Sequence, residues 1–267
     1  MRTIRRPITM LAGMLAAAAT LPGVASAELY NPTTMESFPT SYYYPPPAPS
    51  YDPPPMVFPP LSTSTSSPSG GSSGPKSRPR PTREERILGY HRSSRISRDG
   101  NRQLAALFLK RLGKRQFDRA GFLRESNKGT FRTAYRGLVS PLGWSDTDVA
   151  DALAAYTISS YMIVHGVTEL TLDERIGAQA VVASLRKKLL ANRKMRRTSA
   201  RGKQLMTERL STFTVIQLAQ FAGGDAASRA SQAEAARTAG LKTFKGDLSL
   251  VTIGLKGFEP RTADSGR

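Results

Sequence analysis

The chain has 267 residues, no cysteine, and 39 Lys and Arg against 20 Asp and Glu, for a formal net charge of +19. The length allows one or two domains. The missing cysteines exclude disulfide stapling and thiolate chemistry, so folding must rest on an apolar core alone, and the charge favours polyanionic partners over cationic ones.

The N-terminus reads as a secretory signal peptide. Arg2, Arg5 and Arg6 form a positive start, an uncharged apolar run covers Ile8 to Val24, and Ala25-Ser26-Ala27 is a small-x-small cleavage site, so cleavage is expected after Ala27. Pro22 and Gly23 interrupt a segment already short for a bilayer core of ~30 Å, which disfavours a membrane anchor. Residues 28–82 are expected to form a disordered Pro/Tyr/Ser-rich linker. The stretch YYYPPPAPSYDPPPMVFPP favours polyproline II, and a Ser/Thr then Gly/Ser run follows it. A passive spacer is the plainer reading, and a docking strip using Tyr42 to Tyr44 is the sharper one. Charge is uneven along the chain: residues 28–75 hold only Glu28, Glu36 and Asp52, and everything from Lys76 onward carries +19.

Residues 83–260 are expected to form an all-α multi-helix bundle, with 261–267 as a flexible tail. Leu104, Leu107, Phe108 and Leu112 make one face of a helix starting near Asn101, with Asp99 as its cap and Gly113 past its end. Phe117 to Leu123 suggests a short helix. Phe131, Tyr135, Leu138 and Val139 mark another, stopped by Pro141 and Gly143. In GWSDTDVADALAAYTISSYMIVHG, from Gly143, Ser145 is the expected N-cap, with Asp148 completing a capping box. Apolar stripes on two sides then place this helix in the middle of the bundle, and His165-Gly166 end it. The spacing of Asp146, Asp148 and Asp151 fits a helix start better than a metal site, since only Asp148 and Asp151 share a face. Thr171 and Glu174 form a second capping box, for a helix with Ala178, Val181, Val182, Leu185 and Leu189 inward and Asn192 at its end. A further helix spans about Ala200 to Ala222. Asp225 caps an Ala-rich one to about Ala239, and Leu248 to Leu255 reads equally as a strand or as chain laid across the bundle.

Gly143-Trp144, the run from Asp148 to Tyr156, Leu189 to Asn192 in an Arg-rich helix, and Gly257 to Pro260 together resemble a family of uncharacterised exported bacterial helical proteins, a domain of unknown function. The resemblance spans about Arg95 to Pro260. It implies export and an α-helical domain, and it implies no reaction.

Catalytic patterns are thin. His91 and His165 have no neighbouring ligand at zinc spacing, and no nucleophile elbow or phosphate-binding glycine pattern occurs. Glu169, Asp173 and Glu174 fall at a loop and a helix start. No cofactor or metal is expected. The strongest chemical signal is cationic: Arg186, Lys187, Lys188, Arg193, Lys194, Arg196, Arg197, Arg201 and Lys203 crowd one helix junction, and these are the candidate polyanion-binding residues. No aromatic in that run could stack bases, and no sequence-specific nucleic-acid motif is present. The reading that follows is a non-enzymatic, periplasmic or secreted envelope protein. Its basic face would meet anionic lipid, lipopolysaccharide or wall polymer, with no transmembrane segment once the signal is removed. The alternatives are a helical adaptor or inhibitor that binds a protein partner, and a hydrolase with an unrecognised site.

Overall fold

The computed structural model describes residues 82–114, 117–244 and 246–261. The expected signal peptide and nearly all of the expected linker and tail lie outside them.

Among the described residues the fold is a helix bundle closed by one short hairpin. In chain order the helices are α1 (Arg83–Leu88), α2 (Ser94–Leu112), α3 (Arg119–Lys128), α4 (Thr130–Val139), α5 (Val149–Val164), α6 (Leu172–Ala191), α7 (Arg193–Arg197), α8 (Ala200–Gly223) and α9 (Ala226–Phe244). A single 3-10 turn (Ser140–Leu142) carries Pro141 and leads into Gly143 at φ +73°, so α4 stops where the sequence says it must. A second 3-10 turn (Leu248–Leu250) precedes β1 (Val251–Gly254), which pairs antiparallel with β2 (Gly257–Pro260).

Helix α5 is the axle. It is buried on every side, because its residues are small or apolar all round: Ala150, Ala152, Ala154, Leu153, Ile158 and Ile163 leave no polar face for water. Helices α6, α8 and α9 pack around it. Leu185 and Leu189 of α6, Leu210 of α8, Tyr135 of α4 and Leu88 of α1 fill one side of the core. Phe108, Phe117, Phe122 and Phe213 fill the other, meeting edge-on or tilted at 5.3–5.7 Å between ring centroids.

Two expected starts and one expected end move. Helix α2 begins at Ser94, so Asp99 is an interior residue, paired with Arg102 and Arg201 instead of capping. The N-cap of α5 is Asp148, not Ser145: the Asp148 carboxylate accepts from the backbone N–H groups of Ala150 and Asp151 at 2.7 and 3.2 Å. Ser145 instead bonds Thr147 in the loop, and Asp146, outside the helix, pairs with Arg132 and Arg136. An aspartate one residue from the helix reaches the free N–H groups that a serine four residues away cannot. Helix α9 also runs past Ala239, to Phe244. The open question at Leu248 to Leu255 resolves as a turn and a strand, folded onto α6.

Candidate functional site

The cationic junction lies where α6 ends, α7 turns and α8 begins. Asn192 ends α6 and caps α7 in one residue, its side chain accepting from the Met195 N–H at 3.0 Å. Met195 points into the core while its neighbours point out. One helical turn therefore displays Arg193, Lys194, Arg196 and Arg197 in water, and Lys187 is exposed one turn before.

The structure sorts the nine candidates into different roles. A helix advances ~100° per residue, so Arg186, Lys187 and Lys188 point in three directions from one backbone stretch. Arg186 faces the bundle. Its Nη1 donates to Asp148 at 3.3 Å and its Nη2 to Asp151 at 2.6 Å. Both carboxylates are buried, and Asp151 also accepts from the Ser145 N–H at 2.8 Å. Burial raises the Asp151 carboxyl above its usual range, against the hydrogen bond from Ser145 and the Arg186 charge. Burial also pulls the Arg186 guanidinium down, but the two carboxylates outweigh it and hold the group above its ordinary value. Lys203 is buried as well, donating to the Arg86 carbonyl at 2.7 Å, and desolvation lowers its pKa. Both are structural: one ties α6 to the start of α5, and the other ties α8 to α1. Lys188 is half-buried and lowered by desolvation. Arg201 is exposed but shares Asp99 with Arg102, at 3.4 Å.

Lys187, Arg193, Lys194, Arg196 and Arg197 remain, exposed and without an ion pair among the described residues. These five form the candidate site. Only the position of Arg186 was detectable in the sequence, not its partners: the inward face set by Val182, Leu185 and Leu189 puts residue 186 at its edge and residue 187 facing away from the core. Helix α1 was missed altogether, although Thr82 and Glu85 are its capping box, with bonds of 2.6 and 3.2 Å.

No group of three or more His, Asp or Glu among the described residues could hold a metal ion. His165 bonds the Leu248 carbonyl through Nε2 at 2.9 Å and lies against the Tyr161 ring. Glu174 closes the Thr171 capping box and accepts from Tyr161. Desolvation raises the hydroxyls of Tyr90 and Tyr135, and that of Tyr156 to about 12, so these three stay protonated at neutral pH. No described helix is long and apolar enough to cross a membrane.

The described residues thus form an all-α bundle with a hairpin clasp and a cationic corner at α7. The chain belongs to the Family of unknown function (DUF6683), whose model matches residues 8–261. That agrees with the uncharacterised helical family suggested by Gly143-Trp144 and Gly257 to Pro260. No curated protein and no solved structure matches the chain.

Proposed function

We propose that the protein is an exported, non-enzymatic envelope protein whose cationic corner binds anionic envelope polymers or lipids. The observation that carries this reading is the exposure of Lys187, Arg193, Lys194, Arg196 and Arg197, five cations on one helical junction that have no ion pair among the described residues. Residues 83–261 contain 32 Lys and Arg against 16 Asp and Glu, so the surrounding field also draws polyanions in. The Arg2–Arg6 cluster, the apolar run and Ala25-Ser26-Ala27 support export, and with it the periplasm or the exterior as the place of action.

The test is binding of the full chain to immobilised polyphosphate and lipopolysaccharide across a salt series. Affinity should fall steeply with salt. Replacing Arg193, Lys194, Arg196 and Arg197 by Gln should flatten the log–log salt slope by ~3, at roughly 0.7–0.9 unit for each of the four contacts removed. Full retention of affinity and slope in that variant would place the binding elsewhere and defeat the proposal.

A further inference from the structure

Helix α6 is apolar on two faces. Ala178, Val181, Val182, Leu185 and Leu189 are buried against the bundle. On the other side, steps of three and four residues join Leu172, Ile176, Ala180, Ala183, Lys187 and Leu190. Leu172 is 73% exposed and Ile176 49%. Ala180 is half-buried and Ala183 exposed, and the exposed Gln179, held by Trp144 and the Leu142 carbonyl, borders this line before Lys187. Single exposed leucines are ordinary, but a continuous line of apolar positions along a helix, ~22 Å from Leu172 to Lys187, is not.

The hairpin packs on the same helix and adds a further exposed apolar residue. At Gly177 an added Cβ would strike the Gly254 carbonyl oxygen, and at Gly257 it would meet Val181 at 3.5 Å. The hairpin tip therefore lies directly over the middle of α6, and its first residue, Leu255, is 59% exposed. Lys256 follows it in the open. Arg175 flanks the line on one side; the acids nearby are the exposed Asp173 and Glu169 and, at the hairpin tip, Glu259, which accepts from the Lys256 N–H at 3.3 Å. Beyond Lys187 the axis leads to the four exposed cations of α7.

We infer that this face, formed by Leu172, Ile176 and Leu255 beside the α7 cations, seats on an anionic lipid bilayer. The inference rests on the polyanion reading above and narrows it to a membrane surface. Shallow insertion of apolar side chains beside basic ones is how a peripheral helix holds such a surface. Charge complementarity selects this occupant. A second copy would bring another 32-to-16 cationic excess against the first. A soluble polyanion would satisfy the arginines and leave the leucines in water.

The chain has no cysteine, so one introduced thiol takes one environment-sensitive fluorophore. Full-length Leu255→Cys carries the probe at the tip. Thr133→Cys carries it on α4, which packs on α8. Phosphatidylglycerol-rich vesicles should shift the Leu255→Cys probe to the blue and leave the Thr133→Cys probe unchanged. Polyphosphate should shift neither. In parallel, Leu172→Gln/Ile176→Gln/Leu255→Gln should lose about tenfold or more in vesicle affinity while binding polyphosphate like the parent chain. An unshifted probe at 255 on vesicle-bound chain overturns the inference, and so does undiminished vesicle binding by the triple variant. A blue shift on concentrating the chain without vesicles also overturns it, in favour of a second copy. Loss of polyphosphate binding in the α7 Gln variant bears on the polyanion reading alone, so the two can fail separately.

Discussion

Replacing Arg186 by Met separates a buried ion pair from a ligand. The substitution keeps the apolar stem and removes the guanidinium. Asp148 still accepts two backbone N–H groups, so its loss is the 3.3 Å contact alone. Asp151 keeps only the Ser145 N–H on one oxygen, and its other oxygen gives up the 2.6 Å donor. Removing one member of a buried pair costs ~3–5 kcal/mol. The Arg186 side chain is 27% exposed, so water partly replaces it, and a loss of about 2–4 kcal/mol is expected. For a domain of this size that lowers Tm by roughly 5–12 °C. Helical circular dichroism in urea and heat reads it directly. The deficit should shrink in acid. The folded Asp151 pKa is already raised by burial and rises further once the cation is gone. A raised carboxyl favours folding fully below the unfolded value near ~4 and loses that contribution as pH climbs through the folded value. The variant should therefore approach the parent as pH falls toward ~4. Polyphosphate affinity should stay unchanged. A variant as stable as the parent at pH 7, or one that loses polyphosphate binding while remaining folded, would refute the pairing argument.

Other outcomes follow from the same geometry. Lys187→Met, one residue along and turned away from the core, should move stability by less than ~0.5 kcal/mol in urea titration while weakening polyphosphate binding. Asp148→Ala removes both the true N-cap of α5 and one carboxylate partner of Arg186 and should cost ~2–4 kcal/mol, whereas Ser145→Ala should cost under ~0.5, by the same assay. Gly177→Ala forces a methyl into the Gly254 carbonyl and against Ile253, and should cost ~1–3 kcal/mol by displacing the hairpin. Faster proteolysis near residues 251–260 would confirm where the strain goes.

How much of this was legible depends on the distance over which each signal acts. The core stripe of α6 and the Thr171–Glu174 box are local, and both read correctly because period and capping chemistry fit within one or two turns. The start of α5 misled because two acceptable caps, Ser145 and Asp148, compete within four residues. The choice is made by Asp146 leaving for Arg132 and Arg136, a contact that local sequence does not encode. Arg186 and Lys203 read as surface cations because composition cannot show that Asp148, Asp151 and the Arg86 carbonyl arrive from other helices. The hairpin was undecidable by periodicity: its strands are four residues each, and Gly177 opposite Gly254 is what admits them.

The same contacts explain why the excess charge ends up outside. Asp118, Asp148, Asp225 and Asp247 each turn a side-chain oxygen toward the free N–H groups of a helical start. Glu85 and Glu174 close capping boxes. A carboxylate at a helix N-terminus neutralises a dipole, and of these four aspartates only Asp148 and Asp247 also hold an arginine. Basic residues have no equivalent demand at most helix ends here, and long cationic stems reach water easily. Acids are thus drawn into the frame while arginines and lysines are left at its rim, so the surface is more cationic than the composition alone implies. A cationic corner at α7 is then the place where that bias is least opposed: between Arg186 and Arg209 the sequence holds one acid, Glu208, and that acid is taken by Ser97, Gln204 and Arg92.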